Sequence, residues 1–501
     1  MKNSRMFGGR LIKASVDSTI YQTVTLTMAP SPTGNEWLDA TFELPDNKNP
    51  LKFSRRKQAQ VVAAGIAIIA NSALGSSLPS GATSDIAKAF SVTDRLKLIL
   101  INSLYMLGFA IGPLIFGSLS EHLGRRPVLV GTYLGYMIFT LCCAVSPNFT
   151  ALLIFRLLCG VAAAAPNAVV GPVFADIFDH PGPRGRATAY YMCATAMVPS
   201  LGPIISGYAT RHSWRLTFWV GLGLSGVFLP LVCCLPETYA PIIKKKHRVD
   251  PEAAEKQQPS FARELKVIFS RPFVMAAREP VVLFTSLYLA LVYATLYLFL
   301  QAYPIIFQGV YQLSSGEVGL TFLPITAGSI VALGLFLGYS SYHSSAMKAG
   351  VVWANKIEYR RLPLACAGGP LIVASLFWLG WTSYPEVHPA VPSLSGLLFG
   401  AGYLVEFMAL LNYITDAYGQ YSASAQAASS TMRSITAVVL PLAAPLMYES
   451  LGIQWACSLL AFFTLVLACI PFMFIRYGEA LRKRSPFCQK LSTAAGSVVS
   501  V

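Results

Sequence analysis

The sequence predicts an all-α membrane protein whose twelve transmembrane helices form two six-helix lobes. Three observations carry that prediction. Side chains are 54% hydrophobic and only 12% charged, about half the charge content of an ordinary soluble chain. Apolar windows near the ~20 residues that a bilayer requires recur along the chain. They lie at about 59–80, 97–118, 127–146, 150–172, 188–209 and 214–235, and again at about 280–303, 317–339, 362–382, 392–413, 424–447 and 452–475. The third observation is where the positive charges fall.

The net charge of +15 would by itself suit a nucleic-acid partner. The positions of the 38 lysines and arginines give it another meaning. With the windows as spans, five of them (Lys88, Arg95, Lys97, Arg211 and Arg215) fall in odd-numbered loops, Arg156 and Arg433 lie in or at helices, and all the others fall in the tails and even-numbered loops. Such an asymmetry is the positive-inside rule, with both termini in the cytoplasm. The expected partner is the lipid bilayer, with no nucleic acid. The ten cysteines mostly fill apolar runs without metal-ligand spacing, so neither disulfides nor a metal site is expected.

Residues 1–58 read as a mostly polar cytoplasmic tail without a signal-peptide core, leaving the first span as targeting signal. Residues 59–235 form the first lobe, 236–279 a cytoplasmic linker, 280–475 the second lobe and 476–501 a cytoplasmic tail. The linker is polar and charged, and an amphipathic helix lying on the membrane surface is expected near Phe261 to Phe269. Two six-helix halves joined this way suggest a transporter with a central site.

Between spans 2 and 3, Gly117, Glu121, Gly124, Arg125 and Arg126 stand as G-x-L-x-E-x-x-G-R-R. The glycines permit a sharp turn and close helix approach, and the arginines pair with acids at helix ends. This resembles the cytoplasmic loop signature of the major facilitator superfamily, with Glu in place of the more usual Asp. The resemblance implies a conformational latch, with Asp176 at the inner end of span 4 as the acidic partner of Arg125 or Arg126. The alternative is that the arginines only anchor topology.

Span 4 carries Arg156 inside LLIFRLLCGVAAAAP, where a charge costs at least ~2.5–3.5 kcal/mol unless it is paired or hydrated. With Gly160 in register it resembles the family's R-x-x-x-G element, which implies a place near the proton path. The alternative is a structural arginine bonded to carbonyls. In span 5, Gly202, Pro203 and Gly207 resemble the element that marks exporters, with Val198 and Ser206 at two of its glycine positions. A Gly-Pro pair bends a helix and small residues admit a neighbour, so a plain kink is the alternative there.

PDNKNPLKFSRRKQ before span 1, LPETYAP after span 6, the span 7 sequence and LNYITDAYGQYSASAQAASSTMRS resemble fungal drug:proton antiporters with twelve spans. The resemblance covers roughly residues 45–480. It implies a monomer, most simply in the plasma membrane, driven by the proton gradient with no cofactor.

Substrate residues are expected in span 7, which carries Tyr288, Tyr293, Tyr297, Phe299, Gln301 and Tyr303. Tyr293 and Tyr297 are four apart and share a helix face. Amphipathic rings on a cavity wall suit large, partly apolar or cationic ligands, although aromatic stripes also serve packing. Glu406 in span 10 has no sequence-local cation, so it faces water, pairs across the bundle or is protonated; with Tyr293, Tyr297 and Gln301 it is a candidate for the substrate cavity, as a contact for a substrate cation. Asp416 matches the family pattern near the cytoplasmic end, where a gate or capping role is expected. Asn148 heads an N-x-T sequon too close to a span for glycosylation to be expected.

The function that follows is a proton-coupled efflux transporter exporting hydrophobic or cationic small molecules, such as drugs, toxins or secondary metabolites, by alternating access. Polyamine export is the alternative that makes most use of Glu406. A transport-inactive sensor is the alternative from another class. No P-loop, His-x-x-x-Asp pattern or histidine cluster points to an enzyme.

Overall fold

Helices dominate a computed structural model that describes residues 49–247, 272–418, 422–485 and 489; the amphipathic segment expected near Phe261 to Phe269 lies outside the described residues. Among those residues every regular element is helical. The traverses are α1 (Arg55–Ser77), α2 (Arg95–Leu123), α3 (Arg125–Ala144), α4 (Phe149–Ile177, with a break after Ala163), α5 (181–209, in pieces), α6 (Trp214–Cys233), α7 (Pro280–Tyr303), α8 (Leu323–Lys348), α9 (Ile357–Thr382) and α10 (Ala390–Tyr418). The last two are the arms of one continuous helix, Ser422–Arg484, bent where Gly452 adopts φ 73°; we call 422–451 α11 and 453–484 α12.

Ten described helices are long and apolar enough to cross a membrane. The count reaches twelve because the last of them is bent into two arms and because α5 is broken. That traverse runs as Pro181–Met197, a 3-10 turn Val198–Leu201, and Gly202–Ala209. The break precedes Gly202 and Pro203 because Pro199 and Pro203 each lack the N–H that would continue the ladder.

One face of the bundle carries Arg55, Arg125, Arg360 and Arg482, and we call it the basic face. On the opposite face polar caps start the helices. Asp94 accepts the Leu96 N–H at 2.9 Å to begin α2, Asn148 accepts the Ala151 N–H at 2.8 Å to begin α4, and Ser213 accepts the Arg215 N–H at 3.2 Å to begin α6. Each satisfies one of the N–H groups a helix leaves open at its start. The Asn148 side chain thus has a structural task.

Several helices outrun the apolar windows. α1 begins at Arg55 rather than 59, and Phe53 already packs with Val61, Phe174 and Ile177, so the first lobe begins several residues earlier than the sequence suggested. α12 continues to Arg484, nine residues beyond the expected boundary, and Arg482 meets Glu358 at 2.6 Å. Apolar windows miss such ends because the packing of Phe53 holds the one and an ion pair holds the other. A short helix, Thr83–Phe90, was not expected at all; it is fixed by Phe90 against Trp214 with ring centroids 5.3 Å apart. Large apolar side chains such as Val227, Leu446 and Val466 point outward, 68–73% exposed, as a lipid-facing surface requires.

Candidate functional site

At the basic face, Gly124 turns the chain between α2 and α3 with φ 101°, a conformation that disfavours any side chain. The turn delivers Arg125 into a nearly closed position, 5% exposed. Its Nη1 donates to Ser120 Oγ at 2.5 Å, its Nε lies 3.6 Å from Asp176 Oδ2, its Nη2 lies 4.0 Å from Glu121, and its guanidinium stacks 4.8 Å over the Tyr239 ring. The expected set of Gly124, Arg125, Glu121 and Asp176 therefore meets in one place, and Ser120 also ties the turn to Gly117 through its carbonyl. Arg126 does not share Asp176: its guanidinium donates to the Cys233 carbonyl.

Sequence reasoning missed Glu237, at the centre of this cluster. Its carboxylate accepts the backbone N–H of Arg125 at 3.0 Å and of Arg126 at 3.1 Å, capping α3 from the chain that follows α6. Because Gly124 offers no capping side chain, an anion is needed there to meet the positive end of the helix dipole. Replacing Glu237 by Ala is expected to cost about 1–2 kcal/mol, read as a lower Tm of the detergent-purified protein. The late helices carry a counterpart. Arg361 Nε lies 3.5 Å and Arg360 Nη1 3.8 Å from Asp416 Oδ2, so Asp416 ties α9 to α10.

Arg156 is 2% exposed in α4. Its Nε donates to the Ile101 carbonyl at 2.9 Å, its Nη1 to the Gly75 carbonyl at 2.9 Å and its Nη2 to the Ser76 carbonyl at 3.4 Å, with the Tyr105 ring 4.4 Å beneath. Gly75 and Ser76 sit in the last turn of α1, where carbonyls have no partner within the helix. A cation there also opposes the negative end of the dipole. Arg156 is thus the buried cap of α1, and Gly160 lets α2 come close enough to supply Ile101.

From this cap a polar thread crosses to the late helices. Ser76 Oγ is 2.8 Å from the Tyr297 hydroxyl, and Tyr293 donates to Tyr297 at 3.4 Å. Tyr293 stands 5.9 Å from Phe407, and Phe407 stacks on Tyr403 at 4.9 Å. Over these rings lies Arg433 of α11, 5.0 Å from the Phe407 centroid and 6.0 Å from that of Tyr293. Its Nη1 donates to Ser429 Oγ at 3.0 Å. Tyr293 and Tyr297 therefore do share a site, and Arg433 joins it. The rule that flagged Arg156, a charge inside an apolar helix, would have flagged Arg433 as well.

The other two residues expected beside these tyrosines are elsewhere. Gln301 lines a cavity of about 210 Å³ near the opposite face with Ser80, Gln308 and Ser315. Glu406 is fully buried, and its Oε1 accepts the Tyr288 hydroxyl at 3.0 Å beside Gly368 of α9. Phe407, one residue on, points about 100° away around the helix, which is why one of them meets Arg433 and the other does not. Glu406 Oε2 has no hydrogen-bond partner among the described residues.

The bonds that join early to late helices include Ser76–Tyr297, Ser103 to the Val438 carbonyl, Thr326 to the Met197 carbonyl and the ion pair Arg95–Glu449. All lie toward the opposite face. There Gly207 rests directly on the Ser315 carbonyl, where any Cβ would overlap it. Gly202 packs on Ser77, and Ser206 accepts the Gly81 N–H at 3.0 Å. The glycines of α5 thus serve close approach more than bending. Gly207→Leu is expected to wedge this face apart, so a cysteine placed at Gln301 in a cysteine-free background should react several-fold faster with a bulky maleimide; an unchanged rate would contradict it.

The family model described as Major Facilitator Superfamily matches residues 61–441. The MFS-type transporter traF of Penicillium crustosum is 36% identical over 452 residues, 88% of this chain and 92% of that one. The multidrug transporter mdrA of Aspergillus fumigatus is 35% identical over 480 residues, 89% and 75% of the two chains. The MFS-type efflux pump MFS2 of Trichophyton rubrum is 35% identical over 467 residues, 88% and 76%. Among solved structures, the proton:xylose symporter XylE aligns with a TM-score of 0.62 at 13% identity, over 85% of this chain and 96% of its own. The human organic anion transporter MFSD10 aligns with a TM-score of 0.56 at 19% identity, over 86% and 100%. At these identities the two structures show the fold alone.

Proposed function

Because the chain belongs to the major facilitator superfamily, we propose that it is a proton-coupled efflux transporter, exporting small molecules with an aromatic or apolar body by alternating access. The observation that carries this reading is the thread Arg156–Ser76–Tyr297–Tyr293, which joins early and late helices at an aromatic cluster. A ligand lying on Tyr293, Phe407 and Tyr403 competes for the hydroxyls that hold the halves together. Occupancy is thereby linked to rearrangement, the requirement of an alternating-access carrier. Efflux is supported by relatives named as efflux pumps and multidrug transporters.

The proton needs a carrier. A guanidinium does not release its proton in proteins, so Arg156 acts by holding Ser76 in place, and we assign the proton to Glu406. Its unpartnered oxygen and the Tyr288 hydroxyl supply a site for binding and relay. Asp176, Asp416 and Glu358 are engaged with arginines at the basic face, and Glu279, which accepts the Tyr418 hydroxyl, precedes α7 at that same end rather than lying within the span. That face is the cytoplasmic one in this reading, with the protein in the plasma membrane.

Cells producing the chain should retain less of some members of a panel of aromatic dyes than control cells, and a protonophore should erase the difference. Tyr297→Phe should weaken it. Equal retention across the whole panel would contradict export, and a difference that survives the protonophore would contradict proton coupling.

A further inference from the structure

We propose that the cluster around Arg433 is an anion subsite, which takes the carboxylate of a substrate whose aromatic or apolar body lies on Tyr293, Phe407 and Tyr403. This rests on the reading of the cluster as the substrate site and reverses the cationic class that the aromatic stripe first suggested.

Among the described residues the other arginines set into the bundle lie against a carboxylate or a set of carbonyls, even where single nitrogens, Arg125 Nε and Arg482 Nη1, make no hydrogen bond. Arg156 has three carbonyls, Arg125 has Asp176 and Ser120, Arg361 has Asp416, and Arg482 has Glu358. Arg433 has one hydroxyl, from its own helix, and two ring faces. Its Nε and Nη2 have no protein acceptor among the described residues, and its side chain is partly exposed. A guanidinium with open N–H groups is shaped for a planar oxyanion, which it binds through two parallel hydrogen bonds.

The acids of the late helices do not offset this charge. Glu406 turns to Tyr288, Glu279 to Tyr418, Asp416 to Arg360 and Arg361, Glu358 to Arg482, Glu449 to Arg95 and Glu479 to Lys483. An ammonium ligand on these rings would meet Arg433 with no carboxylate to neutralise it, whereas an aromatic carboxylate would complete the pair that the protein leaves open. The rings then hold the body beside the charge, and the hydroxyls of Tyr293 and Tyr297 mark the far end of the site.

Three probes of matched shape test it on the purified full-length protein: 2-naphthoate, 2-naphthalenemethanol and 2-naphthylmethylammonium, followed by equilibrium binding. The expected order is naphthoate tightest by about tenfold or more, the margin of a charge-assisted pair. Arg433→Gln should abolish that preference with the protein still monodisperse, and Arg433→Lys should keep part of it. Equal or tighter binding of the ammonium probe, binding of none of the three, or a naphthoate preference that survives Arg433→Gln would overturn the proposal. Naphthoate selectivity with none of a panel of aromatic probes moved by a pH gradient in vesicles would leave the anion subsite standing and remove the exporter reading instead.

Discussion

With Glu406 replaced by Gln, vesicles under an imposed pH gradient are expected to bring substrate only to equal concentrations on the two sides. One proton per substrate is worth about 1.4 kcal/mol per pH unit, or about a tenfold concentration ratio. A gradient of two units should therefore support roughly a hundredfold accumulation by the unaltered chain and none by the variant. Gln keeps the size of the side chain and can still pair with the Tyr288 hydroxyl that Glu406 accepts at 3.0 Å. Packing beside Gly368 should hold, so exchange of substrate across the membrane should continue without a gradient. Accumulation by Glu406→Gln equal to that of the parent would move the proton to another group.

Arg156→Ala is expected to give the largest loss of stability. It removes every bond that Arg156 makes to the Gly75, Ser76 and Ile101 carbonyls, and two of these belong to a helix end with no other donor at hand. Each carbonyl left buried and unpaired costs roughly 1–3 kcal/mol, so a loss of about 3–5 kcal/mol is expected. Transport should fall as well, because Ser76 would no longer be fixed opposite Tyr297. Arg156→Lys should recover part of the stability, since a lysine can reach some of the acceptors but lacks the fork that spans them. Thermal unfolding in detergent separates the effects: a Tm for Arg156→Ala within about a degree of the parent would show that Arg156 does not cap α1.

The helical class and the approximate position of each traverse were legible because length and apolarity are properties of single segments. That Asp176 would meet Arg125 or Arg126 was implied by the resemblance of the basic turn to a family signature, and the structure brings Asp176 to Arg125. Arg156 could be located but its role could not be chosen, because its partners are backbone carbonyls that carry no signature in the side-chain sequence. Glu237 was passed over because capping of α3 comes from a segment more than a hundred residues away. Glu406 was grouped with Tyr293 by shared chemistry, and only the rotation between consecutive helix positions separates them. Arg433 showed the same intramembrane charge as Arg156, yet its meaning required seeing which acids turn elsewhere.

The most direct test of proton-driven export through this site is uptake into inside-out membrane vesicles carrying the full chain. Labelled aromatic probes of each charge would be followed under an imposed pH gradient, acid inside. The expected result is accumulation of at least one probe, abolished by protonophore and by Glu406→Gln and weakened by Tyr297→Phe. Accumulation of no probe, or accumulation indifferent to both protonophore and Glu406→Gln, would contradict it.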